Sequence, residues 1–253
     1  MKMHILSGGL LRMRKNIYLP DAQRGETLDL PVSSILLRHK QGNVLFDTGC
    51  HPTALADAPT RWGTLAKALQ PLGDPDAHVL NGLADLGLQP DDIDVVVNSH
   101  FHPDHCGCNE FFKRATIVCH RLELEAAQAE DGEQRGYLPS DWRHPMPIRT
   151  IEGEHDVFGD AQLLLLPLPG HTPGTIGALA TLERDGRFLM AADAVALRPN
   201  LEQEVMPKNT WNPDLALASL REVQRIEDDG ATIIFGHDME QWAQLRKGPQ
   251  AYE

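Results

Sequence analysis

The chain has 253 residues, of which 42% are hydrophobic and 23% are charged, as is ordinary for a folded globular protein. Lysine and arginine total 23 against 36 aspartates and glutamates, and the resulting net charge of −13 argues against a nucleic-acid partner. Because no apolar stretch approaches the length of a membrane span or a signal-peptide core, we expect a cytoplasmic protein without a membrane partner.

Short apolar runs predict seven strands, several of them rich in Val, Ile and Leu, as in strands that are covered on both faces. In chain order these runs span residues 33–38, 44–47, 94–98, 116–119, 163–166, 187–191 and 232–235. A short stretch that contains Gly42 joins the first two strands as a hairpin.

Helical periodicity marks residues 64–69, 79–86, 121–129 and 213–228. The last helix has Asn212 as its predicted cap, Pro213 in its first turn and Gly230 just past its end. The polar, proline-containing segment 131–147 is predicted to be a long loop, either functional or a solvated connector. Strands and helices mixed throughout indicate an α/β (α+β) fold, with sheets between helices, in a single domain over residues 1–253.

The hexapeptide HFHPDH directly follows the predicted strand 94–98 and contains His100, His102, Asp104 and His105. Loops that leave the carboxyl ends of strands are where open α/β sheets place their chemistry. Imidazole and carboxylate groups in one short loop can hold two cations side by side. A paired-metal site of this kind activates water and stabilises a leaving oxygen.

Three further polar residues occur in the same setting, each at the end of an apolar strand: His171, Asp193 and His237. If one carboxylate bridges, seven side chains supply four ligands to each of two divalent metal ions. Imidazoles and carboxylates without thiolates favour Zn²⁺, with iron, manganese and cobalt left open. Asp47, at the end of the strand in VLFDTG, is predicted to orient a ligand histidine, to form a turn with Gly49, or both.

The four cysteines are too few for a disulfide framework in a chain of this length. Cys106 and Cys108 follow the histidine cluster, but their C-x-C spacing differs from that of structural zinc sites. We therefore predict that these two residues are buried or supporting thiols and not metal ligands.

HFHPDH, His171, Asp193, His237 and the earlier LFDTG resemble the metallo-β-lactamase superfamily in order and context. Within it, the chain is similar to the N-acyl homoserine lactonases and to their relatives that open γ-butyrolactone or pyridoxolactone rings. The similarity includes LPVSSILLRH, GLQPDDIDVVVNSHFHPDHCG, LPGHTPG and FGHDMEQ. The resemblance implies an αββα sandwich of the metallo-β-lactamase type with the site at one edge.

The resemblance also implies a role for each candidate ligand. One cation would be held by His100, His102 and His171, and the other by Asp104, His105 and His237, with Asp193 as the bridge. The implied reaction is the opening of a lactone ring by attack of metal-bound hydroxide. Asp104 would be the catalytic residue that carries the proton to the leaving oxygen.

Two positions depart from the lactonase pattern. Ala196 stands three residues after the bridging aspartate, where lactonases commonly have a tyrosine, and Pro103 replaces an aromatic residue in the cluster. Residues of the segment 131–147 that are candidates to supply the missing donor are Tyr137, Trp142 and His144.

Apolar residues near the start and after Asp47 are candidates for pocket lining by analogy: Met13, Ile17, Tyr18 and Trp62. A role in the core or on the surface is an equally open interpretation of each. The sequence does not identify the substrate-binding residues, the acyl-chain preference or the oligomeric state.

Two alternatives to a lactonase remain open. The nearer one is a hydrolase on the same scaffold that cleaves carboxylic esters, thioesters or phosphotriesters. The other is a metal-binding scaffold protein without catalytic activity. RNA-processing members of the superfamily are disfavoured by the net charge of −13.

Overall fold

The computed structural model describes residues 1–253 and contains two β-sheets. The first sheet has seven strands: β1 (Lys2–Arg14), β2 (Thr27–His39), β3 (Gly42–Phe46), β4 (Gln70–Pro71), β5 (Val95–Val97), β6 (Thr116–His120) and β7 (Ile148–Ile151). The second sheet has five strands: β8 (His155–Asp156), β9 (Leu163–Pro167), β10 (Ile176–Leu182), β11 (Gly186–Ala192) and β12 (Thr232–Phe235).

Each sheet mixes parallel and antiparallel pairs. The first has the order β4-β1-β2-β3-β5-β6-β7 and the second β12-β11-β10-β9-β8. In the first sheet β3, β5, β6 and β7 run parallel to one another, and in the second sheet β11 is parallel to β12. The remaining pairs are antiparallel. Strands that run in the same direction end at the same edge, and this edge carries the site.

Ten α-helices surround the sheets, and α4, α6 and α9 cover their outer faces. Their bounds are α1 (Lys15–Tyr18), α2 (Pro52–Ala56), α3 (Ala58–Trp62), α4 (Val79–Asp85), α5 (Pro103–Cys106), α6 (Arg121–Gln128), α7 (Pro139–Trp142), α8 (Arg198–Gln203), α9 (Pro213–Asp228) and α10 (Met239–Gln244). No helix has the length and apolar character that crossing a membrane would require.

Three of the four hydrophobic clusters form layers that alternate with the sheets. Between the two sheets, Ile35 and Phe46 of the first meet Leu165 and Met190 of the second in one cluster. Two other clusters join the outer face of the first sheet to α4 and α6, and the outer face of the second sheet to α9. The molecule is therefore an αββα sandwich, which confirms the predicted fold.

Helix α9 shows how the sequence specifies one of these layers. Its buried residues include Ala216, Leu220, Val223 and Ile226, which are spaced so that they share one helical face against the second sheet. The side chain of Asn212 accepts hydrogen bonds from two backbone N–H groups at the start of the helix. Both the helix and its cap agree with the sequence prediction.

The seven predicted strands are all present, but five further strands were not predicted: β1, β4, β7, β8 and β10. β1 contains the pair Gly8–Gly9, where its register against β2 shifts, so the glycines mark a bulge inside a long strand. The predicted helix at 64–69 is a 3₁₀-helix over Gly63–Lys67. This short helix follows α3 directly and is covered by few other elements.

The prediction of a long loop at 131–147 is wrong for much of that segment. It contains a 3₁₀-turn at Glu133–Arg135 and helix α7, which begins with Pro139. Tyr137 and Trp142 are buried in the same cluster as the outer face of the first sheet. These aromatic side chains hold the segment against the core, so it is not a solvated connector.

Candidate metal centre

Seven histidine and aspartate side chains converge where loops leave the strands of both sheets. His100 follows β5, His171 follows β9, Asp193 follows β11, and His237 follows β12. The remaining three residues come from the loop after β5 and from α5: His102, Asp104 and His105. These are all the ligands predicted from the sequence, and the fold brings every one of them to the same edge.

Three imidazoles form the first group, which we call the histidine group: His100, His102 and His171. His102 Nδ1 lies 3.0 Å from His100 Nε2 and 3.0 Å from His171 Nε2. Tetrahedral zinc with ordinary Zn–N bonds places two nitrogen ligands about 3.3 Å apart. The three nitrogens therefore lie close to the spacing that one zinc ion needs.

A second group, which we call the mixed group, contains Asp104, His105 and His237. The Asp104 Oδ2 atom lies 3.7 Å from Nε2 of His105 and 3.7 Å from Nε2 of His237. Imidazole nitrogens and a carboxylate oxygen at this spacing are a second set of ligands for a divalent cation.

Asp193 lies between the two groups and faces both with different oxygens. Its Oδ1 atom is 2.9 Å from His237 Nε2 and 3.3 Å from His105 Nε2, both in the mixed group. Its Oδ2 atom is 3.3 Å from His171 Nε2 in the histidine group. A carboxylate with one oxygen toward each group has the geometry of a bridge.

Hydrogen bonds on the far side of the rings orient four of the five histidines. In the histidine group, His100 Nδ1 lies 3.0 Å from Ser99 Oγ, and His102 Nε2 lies 3.2 Å from the carbonyl oxygen of Arg135. A ring nitrogen that donates to a carbonyl leaves the other nitrogen with its lone pair free. Because His102 Nε2 donates this hydrogen bond, the Nδ1 atom of His102 keeps a lone pair that can bind a cation.

In the mixed group, His105 Nδ1 donates to Asp47 Oδ2 at 2.8 Å, and His237 Nδ1 donates to the Pro31 carbonyl at 3.0 Å. Asp47 also accepts hydrogen bonds from the backbone N–H and the hydroxyl of Ser99, both at 2.7 Å. This carboxylate links the end of β3 to the ligand loop. Both Nε2 atoms of the group are left free to face a cation.

Three buried polar atoms at and beside the mixed group lack a hydrogen bond. His105 Nε2, His237 Nε2 and Asp193 Oδ1 are enclosed and form none, although Asp193 Oδ1 and His237 Nε2 lie 2.9 Å apart. Buried polar atoms without partners are costly, so a native structure retains them where a ligand satisfies them. Because the free atoms are imidazole nitrogens and a carboxylate oxygen, the residues fit divalent cations such as zinc.

The protonation of the two groups differs. Burial lowers the pKa of His171 to about 3 and holds the pKa of His100 well below its usual value, with the neighbouring imidazoles adding to the shift at His100. Burial also acts to lower the pKa of His105, but the carboxylates of Asp104, Asp193 and Asp47 outweigh it and raise that pKa. The histidine group thus presents neutral imidazoles, as metal ligation requires.

Two non-glycine residues near the site adopt left-handed backbone conformations. Asp47 has φ 58° and Ala192, directly before Asp193, has φ 46°. Such conformations cost about 1–3 kcal/mol each and are found where the surrounding structure enforces them. Each lies at the end of a strand. The strained backbone directs the carboxylate of Asp47 or of Asp193 toward the site.

Glu123 joins the loops that carry the histidine group. This glutamate of α6 is fully buried, and its carboxylate accepts hydrogen bonds from Phe101 N at 2.9 Å, Thr172 Oγ1 at 2.7 Å and Gly174 N at 3.1 Å. Phe101 lies between His100 and His102, and Thr172 follows His171. One side chain therefore fixes the relative positions of two ligand loops.

The site opens into a cavity of about 240 Å³, and a neighbouring cavity of about 300 Å³ shares His102, Arg135 and Asn209 with it. Met13 and Tyr18 line the first cavity, as predicted. Ile17 instead lines a separate cavity beside Met13, and Trp62 is buried in the core, which agrees with the other interpretation given for Trp62.

The candidates for a donor in place of a tyrosine at Ala196 lie mostly elsewhere. Trp142 stacks on Phe101 with ring centroids 5.8 Å apart, and the His144 ring faces the carbonyl oxygen of Asp141 in α7. Neither lines the two cavities that meet at the site, so that expectation is wrong for both. Tyr137 lines the second cavity, where its ring packs 5.5 Å from that of His102.

The two cysteines after the ligand loop are free and fully buried, as predicted. Cys108 Sγ lies 3.2 Å from the carbonyl oxygen of Cys50, which is a third buried thiol. Burial raises the pKa of Cys106 well above its usual value. These thiols pack beneath the site as small apolar side chains.

A family model described as the metallo-beta-lactamase superfamily matches residues 27–243 of the chain. The chain belongs to the metallo-beta-lactamase superfamily. Its fold, its ligand-bearing strand ends and its two groups of histidine and aspartate side chains together make it a metal-dependent hydrolase with a site consistent with two metal ions.

Relatives within the superfamily include several N-acyl homoserine lactonases. One from Bacillus sp is 34% identical over 220 residues, which cover 86% of this chain and 85% of that one. The N-acyl homoserine lactonase AttM of Agrobacterium fabrum is 28% identical over 261 residues, which cover 99% and 98%.

A solved structure of an N-acyl homoserine lactone hydrolase, with the product N-hexanoyl-L-homoserine bound at its catalytic metal center, is also similar. It has a TM-score of 0.89 and 29% identity, and the match covers 99% of this chain and 98% of that chain. The metallo-beta-lactamase fold is therefore shared over nearly the full length of both proteins.

Sequence reasoning missed the groups that orient the ligands. Ser99, directly before the histidine cluster, could have been found from its position at the end of a buried strand. The carbonyl oxygens of Pro31 and Arg135 carry no signal in the sequence, because any residue has a carbonyl. Glu123 lies on the same face of α6 as the buried Ala126 and Ala127. The leucines on either side of Glu123 make that face hard to recognise in the sequence.

Proposed function

We propose that the protein is a dinuclear metal hydrolase that opens the ring of an N-acyl homoserine lactone or a related small lactone. The observation that carries the proposal is the pair of ligand groups joined by Asp193. The similarity to N-acyl homoserine lactonases over nearly the whole chain supports the choice of a lactone.

We assign one cation to His100, His102 and His171 and the other to Asp104, His105 and His237, with Asp193 between them. Zinc suits this set of imidazoles and carboxylates without thiolates. When bound, such a pair of cations supplies a nucleophile at neutral pH and Lewis acidity toward the substrate carbonyl. The protein residues orient the ligands through Asp47, Ser99 and two backbone carbonyls.

Asp104 is the residue to which we assign proton transfer. It lines the cavity, and its Oδ2 atom lies 3.7 Å from the nearest ring nitrogens of His105 and His237. A carboxylate at the cavity wall can take the proton from the attacking water and give it to the ring oxygen as the C–O bond breaks. Asp104 therefore has the same protonation state before and after lactone opening.

The cavity has features that suit an acylated lactone. Met13, Leu65 and Leu69 give it an apolar wall, and Gln134 and Asn209 place side-chain amides beside the same space. A short acyl chain can bury its apolar surface against the three apolar side chains. The amide of the substrate can form hydrogen bonds with the two side-chain amides. The volume of about 240 Å³ admits a small substrate whose tail extends toward the neighbouring cavity.

The experiment that tests this function is a substrate panel in a pH-indicator assay. The zinc-loaded protein is given γ-butyrolactone and N-acyl homoserine lactones, and a p-nitrophenyl ester, a thioester and paraoxon serve as comparisons. We expect acid release from the lactones that stops after chelation and returns with zinc. Turnover of the ester, the thioester or paraoxon without any lactone would contradict the lactonase proposal and leave the metal hydrolase intact.

A further inference from the structure

Tyr18 places a buried hydroxyl at the wall of the catalytic cavity. The residue ends helix α1, between β1 and β2, and its side chain lines the cavity together with Asp104 and Asp193. Its ring meets that of His237 edge to face, with centroids 6.1 Å apart and planes at 71°. Only 3% of the residue is exposed, so the side chain is enclosed by protein.

Hydrogen bonds to the backbone around Tyr18 hold it in place. Its carbonyl oxygen accepts from the side-chain amide of Asn200 at 2.9 Å, and the carbonyl of Ile17 accepts from the backbone N–H of Lys208 at 2.7 Å. Both donors come from the segment that follows Asp193 in sequence. These hydrogen bonds hold the β1–β2 connection against the segment that follows β11. The phenol ring is therefore in place before the substrate binds.

The Tyr18 hydroxyl has a weak partner in the protein. Its hydrogen bond goes to Met13 Sδ at 3.7 Å, and a thioether sulfur is a poor acceptor. Burial of a hydroxyl without a good partner is costly, so an oxygen of the substrate would be the better acceptor. A tyrosine hydroxyl has an ordinary pKa of about 10, so the phenol keeps its proton at neutral pH and can donate it in a hydrogen bond.

We propose that Tyr18 is a catalytic residue that donates a hydrogen bond to the carbonyl oxygen of the bound substrate. The inference rests on the proposed hydrolase function and adds a protein donor to that site. In lactone opening, the carbonyl oxygen gains negative charge but is not protonated. A hydroxyl that donates a hydrogen bond and keeps its proton suits this oxygen. The leaving ring oxygen needs a transferable proton, and that role belongs to Asp104.

Tyr18→Phe removes the hydroxyl while keeping the ring beside His237. We expect kcat for the best lactone to fall about 10²-fold, because a preorganised donor to a developing oxyanion is typically worth that much. We expect the metal content and the melting temperature to stay unchanged, and KM to rise by no more than about fivefold. Calorimetry with the unreactive N-acyl lactam should show binding about fivefold weaker, the loss of one ordinary hydrogen bond.

Tyr252→Phe is the matched control, because Tyr252 is also buried and its hydroxyl accepts a hydrogen bond from Arg246 N. It packs on Phe188 and contacts none of the ligand groups, so kcat should not change. The matched thiolactone, whose leaving atom is sulfur, distinguishes the two substrate oxygens. An equal loss in the Tyr18→Phe variant with lactone and thiolactone supports a donor to the carbonyl.

A loss with the lactone alone would place the hydroxyl at the ring oxygen and overturn the proposal. An unchanged kcat, or a loss explained by fewer bound metal ions, would overturn it as well. Failure of the proposed function is a separate result, since the wild-type protein would then open no lactone. In that case the same comparison is made with the ester that the wild type cleaves, where the fall in kcat is still expected.

Discussion

The histidine group and the mixed group of the metal centre both offer imidazole nitrogens but differ in charge. In the histidine group, a hydroxyl orients His100 and a backbone carbonyl orients His102. Around His105, three carboxylates outweigh burial and raise the pKa of the ring. One half of the site is an array of neutral ligands, and the other concentrates negative charge.

This difference indicates separate tasks for the two halves. A neutral array positions a cation without reducing its charge, which preserves its strength as a Lewis acid. The charged half places Asp104 beside the cavity, where a proton can be taken up and released. Asp193 faces both halves, with one oxygen toward each.

Asp193→Ala removes the side chain that faces both groups, so we expect both halves to fail together. Changes to groups that only orient a ligand cost about 10–100-fold in metal affinity or activity, and a bridging ligand should cost more than about 100-fold. Elemental analysis should find less than one cation per chain. The exposed Asp214→Asn is the control, and it should keep both cations. Full metal content in the Asp193→Ala variant would show that Asp193 is not the bridge.

Asp104→Asn tests the task of the mixed group. Loss of a positioned acid or base typically costs about 10²–10⁴-fold, so we expect kcat for lactone opening to fall within that range. The cation of the histidine group should remain bound, because none of its ligands changes. If kcat for the best substrate is undiminished, the assignment of proton transfer to Asp104 is wrong.

Asp47→Asn and Glu123→Gln form a pair that should affect opposite halves. Asp47 orients His105, whereas Glu123 ties together the loops of the histidine group. We expect each change to weaken one of the two stepwise metal affinities by about 10–100-fold and to leave the other within experimental error. Competition with a chromophoric chelator measures both affinities. The same affinity lost in both variants would contradict the division into halves.

Gly136→Ala should give the smallest effect, confined to the histidine group. Gly136 has φ +95°, and an added Cβ would lie 3.2 Å from His102 Cδ2. The strain costs about 1 kcal/mol, which corresponds to about fivefold in affinity for the cation that His102 holds. Gly153→Ala, where an added Cβ meets nothing within 4 Å, is the matched control and should change neither affinity.

The ligands could be predicted from the sequence because each one ends an apolar strand or lies in the loop that follows one, and strand ends of one direction meet at one edge. Their supports could not be predicted. The acceptor for His237 is the Pro31 carbonyl, 206 positions away, and a backbone carbonyl leaves no mark in the sequence. Strand β10, IGALATL, contains a glycine and two alanines, which are weak strand formers, so the segment does not resemble a Val- and Ile-rich strand.

The same limits apply to the wall of the cavity. Tyr18 could be proposed as apolar lining, but its hydroxyl matters only once α1 is fastened to the segment after Asp193. These contacts join residues far apart in sequence, and no local pattern encodes them. Local residue patterns therefore predict the candidate metal ligands, and tertiary contacts determine what surrounds them.

We propose that the active site contains two distinct metal positions and that lactone opening requires both. The direct test is titration of the metal-free protein with Zn²⁺ while acid release from an N-acyl homoserine lactone is followed. We predict two binding steps, with activity rising to its plateau only as the second equivalent binds. Full activity at one equivalent, or two bound equivalents without lactone opening, would contradict the account.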